Sequence, residues 1–128
     1  MGSNNENRLP VAQSASPVSA VAERYAGSLF DLALEAKSVA AVEKDLGSIE
    51  AMINGSAELK SLVASPVFTA DEQVKAIGAI ASKAKIGGLV GNFLQVAARN
   101  RRLFAVPGMI TAFRRIAAEH RGETTAEV

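Results

Sequence analysis

The sequence predicts an all-α fold, a compact bundle of about six helices in a single domain. Apolar residues recur at three- and four-residue spacing along most of the chain, which is the periodicity of amphipathic helices. Hydrophobic residues make up 48% of the 128 residues, yet only 5% are aromatic and Trp is absent. This composition favours Ala, Leu and Val packing between helices over a β-sandwich. Connections are short and nothing repeats at a fixed period, which favours a bundle over a solenoid.

The first helix is predicted to begin at Ser16 and Pro17, a capping residue followed by a proline that a first helical turn tolerates. It runs to about Lys37 and confines its charged side chains to a narrow sector. A helix at the edge of a domain normally shows water a wider polar face, so we expect one flank to meet a second such helix or a partner. The apolar positions are Val21, Ala22, Tyr25, Ala26, Leu29, Phe30, Leu32, Ala33 and Ala36.

Three shorter helices follow. The second is predicted to end at Gly55, which we expect to adopt the left-handed geometry that closes many helices. The third is capped by Ser56 and stops near Ser65, because the residue before a proline disfavours helical geometry. Thr69 and Glu72 form a predicted capping box that starts the fourth helix. The stripe of the second helix is Val42, Leu46, Ile49 and Ile53.

The fifth helix, predicted over residues 89–100, repeats the unusual property of the first. Its apolar side chains cover about 200° of the circumference. A sixth helix follows Pro107 and is predicted to end at Gly122. The apolar positions of the fifth helix are Leu89, Val90, Phe93, Leu94, Val96, Ala97 and Ala98.

No catalytic, cofactor-binding or metal-binding pattern emerges from the residues. Cysteine is absent, which excludes disulfides and thiolate metal sites. The only histidine, His120, falls near the end of the last helix and is interpreted as structural. The carboxylates of the early helices lie on predicted solvent faces, so solvation is favoured over acid–base catalysis. We expect a protein that is not an enzyme and uses no cofactor.

Membrane insertion is not expected either. No apolar run approaches the roughly 20 residues that span a bilayer, and the polar start, residues 1–7, does not resemble a signal peptide. The chain is therefore expected to be soluble and intracellular.

Charge is distributed unevenly along the chain. Residues 1–72 carry five Lys or Arg and ten Asp or Glu, whereas residues 73–128 carry nine and three. The two parts either neutralise each other inside the bundle or steer an acidic partner to the later helices. A basic nucleic-acid-binding helical module is one alternative function, but the arginines fall at helix ends and no base-reading helix stands out. They are Arg99, Arg101, Arg102, Arg114, Arg115 and Arg121.

Four ordered motifs resemble one family. They are Val21-Ala-x-Arg-Tyr-Ala-x-x-Leu-Phe-x-Leu-Ala33, Leu62-Val-x-Ser-Pro66, Asn92-Phe-Leu-x-Val-Ala-x-x-Asn-x-Arg-Leu103 and Arg121-Gly-Glu-Thr-Thr-Ala-Glu-Val128. Together they resemble the delta subunit of bacterial F-type ATP synthases, the counterpart of the mitochondrial oligomycin sensitivity-conferring protein. The resemblance covers residues 18–128. One departure is Arg101, where the family commonly has Gly, so we expect Asn100 to take the left-handed closing geometry itself.

The resemblance implies a domain organisation and a function. Residues 1–15 would be a flexible tail, residues 16–122 the six-helix N-terminal domain, and residues 123–128 the start of a linker to a C-terminal domain that the sequence lacks. In this family the N-terminal domain holds the N-terminal helix of one alpha subunit and acts as a stator, without catalysis, on the cytoplasmic face of the bacterial inner membrane. The peripheral-stalk b subunits bind the missing domain. The alternative is a generic helical adaptor for another amphipathic helix.

The resemblance also names a candidate partner-binding groove between the first and fifth helices. Tyr25, Ser28 and Val96 match family groove positions, and helical spacing adds five neighbours. Ordinary core packing is the alternative for each, above all for Leu89 and Phe93, and an empty groove could also mediate self-association. The full set is Val21, Tyr25, Ser28, Leu32, Leu89, Phe93, Val96 and Asn100.

Overall fold

A computed structural model describes residues 17–125 of the chain. These residues form six α-helices and one short 3-10 helix, joined by short connections. Side chains are described for residues 19–122. The predicted all-α class and helix number are confirmed, whereas the predicted tail, residues 1–15, lies outside the described residues. In chain order the elements are α1 Pro17–Glu35, α2 Val39–Asn54, α3 Ala57–Ala64, α4 Ala70–Lys83, α5 Gly88–Arg99, the 3-10 helix Leu103–Ala105 and α6 Val106–Thr125.

The predicted start and end of α3 and the predicted start of α4 are confirmed at atomic level. Ser56 caps α3, its hydroxyl accepting a hydrogen bond from the Leu59 N–H at 3.2 Å. At the start of α4 the Glu72 N–H donates to the Thr69 hydroxyl at 3.1 Å, and the Thr69 N–H donates to the Glu72 carboxylate at 2.8 Å. Ser65, before the proline, is extended with ψ 132°, so α3 ends there.

The end of α2 differs from the prediction. Gly55 has φ −86°, not the expected left-handed value, and its N–H still donates to the Ala51 carbonyl at 2.9 Å. A Cβ at position 55 would lie 3.1 Å from that carbonyl oxygen, a tight contact that glycine avoids. Only Gly55 separates Asn54, the last residue of α2, from the Ser56 cap of α3, and neither Gly55 nor Ser56 has a left-handed backbone.

The end of α5 corrects a second expectation. Asn100 has φ −87°, and the left-handed residue is the next one, Arg101, with φ 61°. The Arg101 and Arg102 N–H groups donate to the Ala98 and Ala97 carbonyls at 3.1 and 2.7 Å, which closes the helix in a Schellman arrangement. The Arg101 guanidinium also donates to the Phe68 carbonyl at 2.7 Å. These bonds help to offset the left-handed penalty of roughly 1–2 kcal/mol that a glycine would avoid.

The last helix is longer than predicted. Its expected end was Gly122, but α6 continues to Thr125 because Gly122 keeps a helical backbone instead of reversing the chain. Residues 123–125 of the predicted linker are therefore helical. Residues 126–128 lie outside the described range.

The hydrophobic core is shared by all the helices, but the two main contacts are α1 on α6 and α4 on α5. Close approach of α1 to α6 is allowed by small residues, with Ala22 packed against Gly108. The buried polar side chain of Gln73 donates to the Leu62 carbonyl at 3.1 Å, so it joins α4 to α3. Among the fully buried side chains are Leu29, Leu46, Ile49, Ile77, Leu94, Met109, Ile110 and Phe113.

Candidate partner-binding groove

A groove of about 370 Å³ runs between α1 and α5. Its floor is formed by the buried Leu29 and the half-buried ring of Phe93. Leu32 and Val96 rise on opposite sides and are 49% and 41% exposed, which is unusual for large apolar residues that face a concave surface. The lining residues are Arg24, Tyr25, Ser28, Leu29, Leu32, Leu89, Asn92, Phe93, Val96 and Asn100.

Seven of the eight residues selected from the sequence line this groove. Val21 does not: its side chain is half-buried against the hydrophobic core at the amino-terminal side of Tyr25. Three lining residues were not selected from the sequence: Arg24, Leu29 and Asn92. Arg24 and Asn92 stand four residues before selected positions and Leu29 stands four residues after Tyr25, so helical spacing on the groove walls was the available signal.

Tyr25 joins the two walls of the groove. Its hydroxyl accepts a hydrogen bond from the Asn100 side-chain amide at 3.0 Å. Its ring meets Phe93 edge-on, with ring centroids 6.3 Å apart and an interplanar angle of 70°. Such an aromatic pair is stabilising beyond its buried area. Tyr25 therefore bridges the first half of α1 and the carboxyl end of α5.

The groove stays open because each wall has its principal packing partner elsewhere. α1 lies mainly on α6 and α5 mainly on α4, whereas direct contact between α1 and α5 is sparse. A helix apolar around more than half of its surface then keeps one flank on the core and leaves another facing the groove. The extra apolar flanks that the sequence predicts for the first and fifth helices therefore face each other across the groove.

The arginines of α6 form ion pairs with carboxylates of the same domain. Arg115 donates hydrogen bonds to the carboxylates of Glu23 on α1 and of Glu119 on its own helix, and these two bonds raise the pKa of Arg115 above its ordinary value. These pairs join the basic later part of the chain to the acidic earlier part, in line with neutralisation within the bundle. The pairs between helices are Arg114 with Glu50 at 2.7 Å, Arg115 with Glu23, and Arg121 with Glu43 at 3.1 Å.

The remaining chemistry of the described residues does not suggest a second kind of site. His120 lies against Phe30, with ring centroids 5.4 Å apart. Among residues 17–125 no group of three or more His, Asp or Glu side chains is arranged to hold a metal ion. Within the same range, no helix combines the length and apolar character required to cross a bilayer.

Comparison with known proteins identifies related chains. Residues 21–128 match the family model described as ATP synthase delta (OSCP) subunit. The chain is 72% identical over 118 residues to a Mesorhizobium japonicum protein named ATP synthase subunit delta. Proteins of the same name from Brucella anthropi and Brucella ovis are 66% and 64% identical over 118 residues. Each alignment covers 92% of this chain, which spans 63% of the length of these relatives.

Proposed function

Because the chain belongs to the ATP synthase delta (OSCP) subunit family, we propose that it is a non-catalytic stator domain that binds the N-terminal helix of an alpha subunit. In this role it helps to hold the catalytic head against rotation while the rotor turns. We assign the contact with the peripheral-stalk b subunits to a different domain of the family. The domain works as a peripheral component at the cytoplasmic face of the bacterial inner membrane.

The observation that carries the proposal is the open apolar groove between α1 and α5. A mechanical linker needs a binding surface and no reacting groups, and the groove provides apolar side chains on both walls with polar groups at the rim. Leu32 and Val96 remain substantially exposed in the free domain, so a partner that covers them gains from the hydrophobic effect.

The shape of the groove favours a helix as its occupant. The α5 wall runs from Leu89 to Asn100, which at 1.5 Å per residue is about 16 Å, or three turns of a docked helix. An amphipathic helix places apolar side chains at i, i+3, i+4 and i+7, a stripe of this width and length. An extended peptide would instead seek an unpaired strand edge, and residues 17–125 contain no strand.

In mechanical terms, the docked helix transmits lateral force between the catalytic head and the stalk. Force along the groove acts on side chains that interdigitate with those of Leu29 and Phe93, which the core holds in place. Because the walls are backed by α6 and α4, the groove resists deformation without help from the partner. A rigid seat of this kind is what a stator requires.

Calorimetric titration with a peptide of the alpha-subunit N-terminus tests the proposal. Saturable binding is expected, and Tyr25→Ala and Val96→Ala weaken it because they remove groove side chains. Val67→Ala is the matched control, since Val67 is 78% exposed and lies outside the groove. Absence of binding to the folded domain, or equal loss in Val67→Ala and Val96→Ala, contradicts the proposal.

Salt dependence separates this function from nucleic-acid binding. Docking in an apolar groove weakens only modestly between low and high salt, whereas neutralisation of several phosphates gives a steep loss of affinity. The pairing of the α6 arginines with carboxylates supports the first behaviour. Binding of DNA or RNA with a steep salt slope, in place of peptide binding, would favour the basic module.

A further inference from the structure

We propose that Arg24 sets the direction in which the helix docks, by pairing with a carboxylate that the partner presents at the Tyr25 end of the groove. The inference rests on the proposed function and concerns the same groove. It assigns the occupant a specific chemistry: an amphipathic helix whose apolar stripe is flanked, near one end, by Asp or Glu.

The first observation is the charge of the groove. Arg24 is the only charged residue among those that line it, and the other polar lining groups are neutral hydroxyls and amides. No carboxylate lines the groove within the described part of the chain. Among the described residues that line the groove, Arg24 therefore supplies the positive charge that a docked helix meets, and an acidic side chain next to it is the complementary group.

The second observation is that Arg24 has no partner among the described side chains, those of residues 19–122. It forms no hydrogen bond or ion pair among the described residues, and the positions three and four residues away on α1 are Ala20, Val21, Gly27 and Ser28. By contrast Arg114, Arg115 and Arg121 each meet a carboxylate of another helix. The bundle neutralises these arginines and leaves the groove arginine available.

The third observation is the position of Arg24 along the groove. It lies next to Tyr25, whose hydroxyl is bonded to Asn100 at the carboxyl end of α5. The opposite end is bounded by Leu32 and Leu89, where no cation lines the groove. A helix inserted in the reverse direction would place its carboxylate at this apolar end and lose the ion pair. The single charge therefore favours one direction of docking, as polar groups fix register at other interfaces.

A double-mutant cycle tests this assignment. The probe is the alpha-subunit N-terminal peptide, together with variants in which each Asp or Glu is changed to Asn or Gln in turn. Arg24→Gln is expected to weaken binding about two- to fivefold at low salt, the range of a partly exposed ion pair. The loss shrinks as salt increases, and Arg24→Lys retains most of the affinity. Lys60→Gln is the control for net charge, because Lys60 is exposed on α3, away from the groove.

The peptide variants identify the partner carboxylate. One change to the amide form is expected to weaken binding to the wild-type domain but not to Arg24→Gln, which shows that the two groups interact. A nitroxide attached beside that carboxylate should broaden the NMR signals of Tyr25 more than those of Leu89. This readout reports direction, which a purely structural role of Arg24 would not alter.

The outcomes are distinguishable. If the peptide does not bind the wild-type domain, the proposed function fails, and this inference fails with it. If the peptide binds but Arg24→Gln leaves its affinity unchanged, or if every peptide change is additive with Arg24→Gln, only the inference is overturned. Broadening that is stronger at Leu89 also overturns it, because the helix then lies in the reverse direction.

Discussion

Replacement of Leu32 by Ala is the most direct test of the groove, because its effect can be worked out from the structure. Leu→Ala removes three carbon groups, about 2.4 kcal/mol when they are fully buried. Leu32 is 49% exposed in the free domain, so about half of that, roughly 1.2 kcal/mol, remains to be gained on docking. We therefore expect Leu32→Ala to raise the Kd for the alpha-subunit peptide about sevenfold.

Leu34 provides a closely matched control on the same helix. It is 39% exposed, close to the value for Leu32, but it faces away from the groove. Leu34→Ala is expected to lower the free energy of unfolding by an amount similar to Leu32→Ala and to leave the Kd within about twofold of wild type. The comparison separates loss of binding from general destabilisation of α1.

The assay can use the protein's own fluorescence. The chain contains one tyrosine and no tryptophan, and that tyrosine lines the groove, so emission from Tyr25 reports on groove occupancy alone. A peptide without Tyr or Trp is titrated while this emission is followed, and calorimetry checks the same Kd. Equal Kd values for Leu32→Ala and wild type, or equal losses in Leu32→Ala and Leu34→Ala, would refute the assignment of this surface.

Three further predictions concern the groove and the fold. Tyr25→Phe keeps the ring contact and loses only the exposed hydrogen bond to Asn100, so peptide titration should show a smaller increase in Kd than for Tyr25→Ala. Thr69→Ala removes the α4 capping box and should lower the free energy of unfolding in urea by about 1 kcal/mol. Leu94→Ala, at a fully buried position beneath the groove wall, should lower it by about 2–5 kcal/mol, and a loss below 1 kcal/mol would contradict the assigned packing.

The sequence was informative about the groove because two helices carry more apolar surface than one core can cover. The family resemblance supplied Tyr25 and Val96 as groove positions, and helical spacing added Leu32 beside Tyr25; all three line the groove. It did not separate the groove wall from the core for Leu89 and Phe93, which pack against the core and also line the groove. Val21 was selected for the groove but packs against the core instead, because spacing along one helix does not reveal where the neighbouring helix ends.

Helix ends were harder to predict where a chain reversal depends on tertiary contacts. The capping box at Thr69 is local, and it was read directly from the residue types. At the end of α5 the chain reverses at Arg101, whose guanidinium reaches the Phe68 carbonyl 33 residues earlier. Local propensity disfavours arginine in this conformation, but Lys37 and Lys85 adopt it too at the ends of α1 and α4, where the same backbone hydrogen bonds close the helix; at Arg101 the distant carbonyl adds a further contact.

The distribution of packing in the bundle has a consequence for the energetics of docking. Because α1 is held by α6 and α5 by α4, the two walls are positioned by contacts that do not involve the groove. Tyr25 adds a hydrogen bond and a ring contact across the gap, so the spacing of the walls is set before a partner arrives. A preformed site avoids most of the ordering cost on the side of the domain. In the proposed complex, any ordering cost falls instead on the partner segment, and burial of the exposed surfaces of Leu32 and Val96 contributes free energy that offsets it.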